Sequence, residues 1–184
     1  MIRWFLNRQM NAYQREFNYD MRYARDILDA GLGAFWAFSR ILSISSYRKD
    51  APLEAWYAAK IAATIAADCG PCTQLVVDMA ARDGVSTANL RAILANDEQA
   101  MTPDASLGLH FAQAVIARDL PKADALRTEV MQRWGRRGLV SLALTMAASR
   151  VFPDVKYALG HGYACTLVRV AGATAPLAHK ESHA

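Results

Sequence analysis

The sequence has little cysteine and no block of charges of one sign. Its three cysteines in 184 residues are too few, and odd in number, for the disulfide framework of a small secreted domain. The net charge of +4 comes from basic and acidic residues that are interspersed, so the basic stripe of a nucleic-acid surface is missing. We therefore expect no nucleic-acid partner and a cytoplasmic protein, in a reducing compartment where paired cysteines would cycle.

Long uncharged apolar runs are also missing. Residues 1–6 form too short an apolar run for a signal peptide and lack a small-residue cleavage site. The most lipid-like window, residues 27–46, contains Asp29 and Arg40, whereas a spanning helix needs about 20 nearly uncharged residues. We predict no membrane-spanning segment and interpret this window as a buried or subunit-facing helix, with contact to a membrane surface as the alternative.

Alternating runs of β-branched residues are absent, while apolar residues recur at helical spacing along most of the chain. The sequence therefore predicts an all-α fold of about eight helices. Ser86 or Thr87 and Thr102 are expected N-caps, and Pro153 is expected to separate the last two helices. The predicted helices cover residues 9–30, 35–45, 52–67, 71–82, 88–95, 105–118, 121–134, 139–148 and 155–170.

The chain length fits a single compact unit that buries a core without disulfides or metals. Within it we distinguish an N-terminal helical extension at residues 1–50 from a helical core at residues 51–171. Residues 172–184 consist of Ala, Pro, His and Ser without periodicity, so we predict a disordered tail there.

The segment Asp68-Cys69-Gly70-Pro71-Cys72 lies between two apolar helical runs and is the most informative motif. Gly70 and Pro71 predict that one helix ends and another begins there, because proline suits a first helical turn. Two thiols at this spacing can close a disulfide, and the positive end of a helix dipole favours the thiolate. Two cysteines packed in a core are the alternative, but a core helix has no use for such a break. The motif predicts a reactive dithiol that forms a reversible intramolecular disulfide.

An all-helical chain with this motif at a helix junction resembles the carboxymuconolactone decarboxylase superfamily, and within it the alkylhydroperoxidase D-like branch. The resemblance extends over about residues 50 to 167 and implies an all-α fold that assembles as a homo-oligomer. Its decarboxylase branch works without redox cysteines and therefore fits less well. Besides the cysteine motif, the matching segments are Asp83-Gly84-Val85-Ser86, Thr102-Pro103-Asp104 and Gly138-Leu139-Val140.

The resemblance implies a catalytic set at Cys69, Cys72, Glu54 and Tyr57, without cofactor or metal. Cys72 would attack a hydroperoxide and Cys69 would resolve it as the disulfide, which a reducing dithiol partner would reopen. Tyr57 occupies the position of the family's relay glutamate, and Glu54 lies one turn earlier. Val76 stands where the family has a relay histidine, and valine cannot move a proton. The resemblance thus implies thiol–disulfide exchange with weak peroxidase activity.

Other residues offer substitutes for the missing relay, and each has an ordinary structural explanation. Asp68 would oppose a neighbouring thiolate, and Asp78 lies on a different helix face from Cys72. His110 and His161 would reach the cysteines only through the tertiary fold.

Three further readings stay open. The same Cys-Gly-Pro-Cys tetrapeptide occurs in thioredoxins, where the first cysteine attacks, so Cys69 at an N-cap position is an alternative nucleophile. A zinc site would use Cys69, Cys72, His161 and Cys165, the last two being four apart on one predicted helix. A non-catalytic oligomeric protein is the third reading, and only the missing relay supports it.

Overall fold

The computed structural model describes residues 1–163 and 167–175, and over these residues it confirms an all-α fold with eight helices and one short hairpin. The strands β1 (Val168–Val170) and β2 (Ala173–Ala175) pair antiparallel, with Arg169 opposite Thr174. The helices are α1 (Ile2–Phe17), α2 (Arg22–Ala30), α3 (Leu32–Ser46), α4 (Leu53–Ala66), α5 (Gly70–Arg82), α6 (Thr87–Ala95), α7 (Pro103–Ala117) and α8 (Leu120–Ala158).

Helix α4 is the centre of the main core. All ten residues from Ala55 to Thr64 are buried, because α7 and α8 both pack against this helix. The close approach to α7 depends on Gly108, where an added Cβ would overlap the backbone of Ala55. Small alanines on α4 and a glycine on α7 thus allow the two helices to pack nearly backbone to backbone.

A second hydrophobic cluster forms between the N-terminal helices and the core. It contains Leu6, Met10 and Phe17 of α1 and Tyr23 and Leu28 of α2. Leu75 and Met79 of α5 and Val155 of α8 pack against it, so residues 1–46 lie directly on the cysteine-bearing helix. None of the residues of α3 is buried, so the expectation of a buried helix there is wrong. The alternative, a helix that faces another subunit, stays a prediction.

Several predicted helix boundaries are confirmed by their caps. The Ser86 hydroxyl accepts from the Asn89 N–H at 3.2 Å, and the Thr102 hydroxyl accepts from the Ala105 N–H at 3.4 Å. Such side chains satisfy donors that a helix leaves without partners in its first turn. The predicted break at Gly135 is also present, since this residue has φ 64° and ψ −173° between two helical stretches of α8.

Three sequence-based boundaries are wrong. The predicted helix over residues 9–30 is two helices, because Asn18 adopts a left-handed conformation and ends α1. Pro153 does not separate two helices; α8 continues through it to Ala158 despite the missing N–H. The predicted last helix over residues 155–170 therefore ends early, and Val168–Val170 is a strand.

The predicted disordered tail is wrong at its beginning, where Ala173–Ala175 form β2. Residues 176–184 lie outside the described part of the chain. Among the described helices, α8 is the one that is long and apolar enough to cross a membrane by length and composition. This is weak evidence, because 44% of the relevant 18-residue window is buried in the fold and core helices of soluble proteins pass the same test.

Candidate active site

The cysteine motif forms the turn between α4 and α5. Asp68 has a left-handed conformation with φ 51°, Cys69 is the N-cap of α5, and Pro71 lies in the first turn of that helix. This local geometry brings the Cα atoms of Cys69 and Cys72 to 5.3 Å, and the two sulfurs form a disulfide. The structure thus contains the predicted pairing, while its reversibility stays a prediction.

The two sulfurs differ in what they face. Cys69 is fully buried, whereas Cys72 lines a cavity of about 660 Å³ between the N-terminal helices and the core. The cavity wall is mostly apolar and aromatic, as in pockets that bury small ligands. Representative wall residues are Met10, Tyr23, Phe35, Phe38, Leu75 and Phe152.

A polar contact reaches Cys72 from the loop between α1 and α2. The Tyr19 hydroxyl lies 3.7 Å from Cys72 Sγ in a buried position, and it is the donor because a disulfide sulfur has no hydrogen. The Lys156 ammonium of α8 donates to the Tyr19 hydroxyl at 3.5 Å and lies 4.5 Å from the centre of its ring. Sulfur, hydroxyl and ammonium therefore form a continuous chain beside the cavity.

Burial dominates the electrostatics of this chain. It raises the pKa of Tyr19 well above the usual value, so the phenol stays protonated and available as a donor. It lowers the pKa of Lys156, and the nearby Asp20 carboxylate works in the opposite direction. An ammonium behind the phenol polarises the hydroxyl toward sulfur, which favours a thiolate once the disulfide is reduced.

A second buried lysine faces the same cavity from α4. Lys60 is 4% exposed, and its ammonium stacks on the Trp56 ring at 3.7 Å from the centroid. Burial lowers its pKa to about 8, while the charge of Asp83 raises it. Within the described residues, no ion pair and no hydrogen bond to Lys60 Nζ is present. Because no fully buried side-chain nitrogen or oxygen lacks a partner there, this ammonium keeps contact with the open space of the cavity.

Of the four predicted catalytic residues, Cys69 and Cys72 are joined in the disulfide. Glu54 and Tyr57 form hydrogen bonds with other residues instead. The Glu54 carboxylate accepts from the Thr102 hydroxyl at 2.5 Å. The Tyr57 hydroxyl donates to Asp83 at 2.5 Å, and burial together with this bond raises the Tyr57 pKa. Neither residue lines the cavity that contains Cys72, so their catalytic roles stay predictions without a contact to the sulfurs.

The position of the missing relay histidine is on the cavity wall. Val76 lies one turn after Cys72 on α5, lines the cavity and is 8% exposed. The other substitutes weighed from the sequence have different partners. Asp78 accepts from Gln74 at 2.8 Å, and His110 Nδ1 lies 3.2 Å from the Ser106 hydroxyl.

The zinc reading expected His161 on a helix, and this expectation is wrong. His161 follows the end of α8 at Ala158 and lies outside the helices. Its Nε2 lies 2.6 Å from an Asp26 carboxylate oxygen. Residues 1–163 and 167–175 contain no group of three His, Cys, Asp or Glu side chains that could hold a metal ion, and Cys165 lies outside this described part.

Sequence reasoning missed Tyr19, Lys60 and Lys156. Lys60 could have been found from the sequence, because it is the single charged residue in the apolar run from Ala55 to Ala67. A lysine is rarely buried without a reason, so its place in a helix that packs on most sides deserved notice. No sequence pattern pointed to Tyr19 or Lys156, since long stretches of chain separate them from Cys72.

Comparison of the chain with protein-family models, with curated proteins and with solved structures finds no match.

Proposed function

We propose that this protein is a dithiol–disulfide oxidoreductase whose reactive sulfur is Cys72, with a weaker activity toward hydroperoxides. The observation that carries the proposal is the position of this disulfide: one sulfur lines an apolar cavity, and the other is fully buried behind it. A packing role would not require a cavity in front of one sulfur. The arrangement also favours Cys72 over Cys69 as the attacking thiol, because only Cys72 meets a molecule bound in the cavity.

With a disulfide substrate, the Cys72 thiolate attacks one substrate sulfur and releases the other as a thiol after protonation. The Cys69 thiol, once deprotonated, then attacks Cys72 and releases the second substrate thiol. Two electrons pass to the substrate and the protein becomes the disulfide seen here. A reducing dithiol that enters the cavity reverses the sequence and is itself oxidised.

With a hydroperoxide, the Cys72 thiolate attacks the terminal oxygen, the O–O bond breaks, and an alcohol leaves with a proton. Cys69 then displaces the hydroxide of the resulting sulfenic acid as water and closes the disulfide. The step needs an acid at the leaving oxygen. Tyr19 is a poor acid for this purpose because burial raises its pKa, and Val76 offers no proton, so we expect this rate to be low.

We further propose that the protein assembles as a homo-oligomer in a reducing compartment. Helix α3 carries large apolar side chains that the single chain does not cover. Trp36, Leu42 and Ile44 are 47%, 56% and 42% exposed, respectively, on this one helix. Covering them in a subunit interface would remove apolar surface from water.

The experiment that tests the redox function compares three proteins: wild type, Cys72→Ser and Cys69→Ser. Each is reduced, then mixed with a small aromatic disulfide or with cumene hydroperoxide, and the loss of free thiols is followed. We expect wild type to react with both and faster with the disulfide, and Cys72→Ser to react with neither. Cys69→Ser should trap a mixed disulfide on Cys72. The proposal would be refuted if Cys72→Ser lost its free thiols as fast as wild type with either substrate.

A further inference from the structure

The cavity in front of Cys72 adjoins a second pocket of different chemistry. This second pocket has a volume of about 550 Å³ and contains the charged side chains of Arg48, Lys60 and Asp83. Ser43, Ser45 and Ser46 of α3 add hydroxyl groups to its wall. Apolar surface predominates in both linings, but polar atoms contribute a larger share here than in the Cys72 cavity, so we refer to this second space as the polar pocket. Five residues line both: Tyr13, Leu42, Ser45, Lys60 and Met79.

Lys60 stands at the junction of the two spaces without a polar partner. It is 4% exposed, and no hydrogen bond or ion pair to its ammonium is present in the described part of the chain. The Trp56 ring face offers partial compensation at 3.7 Å. The ammonium faces the open space of the two pockets, because no fully buried side-chain nitrogen lacks a partner among the described residues. A mostly buried cation without an anion beside it is unfavourable, so such a residue is normally paired or serves a ligand.

The charges around this junction favour an anion. Arg48 and Lys60 face the polar pocket against one carboxylate, that of Asp83, which already accepts from the Tyr57 hydroxyl at 2.5 Å. Arg48 uses one of its nitrogens on the Ala51 carbonyl at 3.2 Å and keeps its charge. The pocket therefore has one uncompensated positive charge, and it lies next to a mostly apolar space.

From this juxtaposition we propose that the cavity takes a single-chain amphiphile with an anionic head group. Lys60 binds the head group, while the apolar chain occupies the cavity in which the Cys72 sulfur lies. The cavity volume falls within the range of about 300–1,000 Å³ that is usual for small-molecule pockets. The inference deepens the proposed function by naming its substrate class, and it rests on that function only for the reaction at sulfur.

The recognition is separable from the chemistry, because Lys60 binds the head group, whereas the reduced Cys72 reacts with a disulfide or hydroperoxide group carried on the chain. An ammonium that gains a carboxylate partner gains a charge-assisted hydrogen bond. The alcohol that has the same chain as the acid fills the cavity to the same extent, but it does not form this charge-assisted hydrogen bond. The acid should therefore bind about 10- to 100-fold more tightly than the alcohol, the factor that corresponds to a hydrogen bond with a charged group.

The test measures equilibrium binding of two matched probes: a polyene fatty acid whose fluorescence rises in apolar surroundings, and the fatty alcohol with the same chain. Three proteins with the Cys69–Cys72 disulfide formed are titrated: wild type, Lys60→Met and Lys122→Met. Methionine keeps the length of the lysine side chain, and Lys122 is an exposed lysine at the start of α8 that serves as the matched control.

We expect wild type and Lys122→Met to bind the acid more tightly than the alcohol. Lys60→Met should bind both probes with the affinity that wild type has for the alcohol. Equal binding of the two probes by wild type would overturn the proposal, as would the absence of saturable binding. The proposal would also be overturned if Lys60→Met lowered the affinity for the acid and for the alcohol by the same factor. None of these results touches the redox function, which the reaction of Cys72 with a small disulfide decides separately.

Discussion

The hydroxyl of Tyr19 lies 3.7 Å from Cys72 Sγ, although Tyr19 lies between α1 and α2 and Cys72 lies on α5. The N-terminal helices therefore contribute a polar group to the candidate site and do more than cover α5. The Lys156 ammonium supports this hydroxyl from a third element at 3.5 Å. The three residues define how the thiolate of Cys72 would be stabilised after reduction.

We expect Tyr19→Phe to raise the pKa of the reduced Cys72 thiol by about one unit or more. A hydrogen bond to a thiolate is charge-assisted and contributes about 1.5–3 kcal/mol, and 1.36 kcal/mol corresponds to one pKa unit. The ultraviolet absorbance of the thiolate against pH measures this change. Tyr13→Phe is the matched control, since the Tyr13 hydroxyl contacts Met79 at 3.8 Å instead. An unchanged Cys72 pKa in Tyr19→Phe would contradict the role.

The sequence was sufficient for the local part of the site because that part depends on neighbouring residues. Gly70 and Pro71 determine a turn, and the turn brings Cys69 and Cys72 together whatever the rest of the chain does. The helix caps at Ser86 and Thr102 were predictable for the same reason.

The remainder of the site depends on tertiary packing, which spacing along the chain does not encode. Tyr19 meets Cys72 because Asn18 turns out of α1 in a left-handed conformation, a break that the uninterrupted helical pattern concealed. Lys156 meets Tyr19 because α8 continues through Pro153, which the sequence indicated as a boundary. Both errors affect long-range contacts, where tertiary interactions outweigh local preference.

Lys60→Met should stabilise the protein at neutral pH. Burial lowers the pKa of Lys60 from 10.5 to about 8, so holding the charged form in the fold costs up to about 3 kcal/mol. We expect the free energy of unfolding in urea to rise by about 1–3 kcal/mol at pH 7. Lys122→Met, at an exposed position, should change it by less than about 0.5 kcal/mol.

The pH dependence of this gain has a definite sign. Below about pH 8 both the folded and the unfolded lysine are charged, so the full cost is present. Between about pH 8 and 10.5 the unfolded state binds more protons, and the wild type therefore gains stability relative to Lys60→Met as pH rises. The stability advantage of Lys60→Met over wild type should therefore shrink between about pH 8 and 10.5. An advantage that grew over this interval would contradict the assignment of the charge to Lys60.

The exposed apolar face of α3 predicts an oligomer. Light scattering should return a mass that is a multiple of the 20.2 kDa chain. Ile44→Glu should shift this mass toward the monomer, because a charge placed in an apolar interface loses its hydration. Leu120→Glu is the control, since Leu120 is 65% exposed at the start of a different helix. A wild-type mass of one chain at working concentration would refute the assembly.

Val76 provides the most direct test of why peroxidase activity should be weak. It lies one turn after Cys72 on the wall of the same cavity, where a histidine would face both the sulfur and a bound hydroperoxide. We expect Val76→His to increase the rate with cumene hydroperoxide by about a hundredfold, the lower end of what general acid–base catalysis contributes. The rate with a small aromatic disulfide should change little, because a thiol leaving group needs less acid assistance. Val76→Leu is the matched control: it adds bulk without a proton and should accelerate neither reaction. If both variants changed the two rates alike, access to the cavity rather than proton transfer would limit the reaction with peroxides.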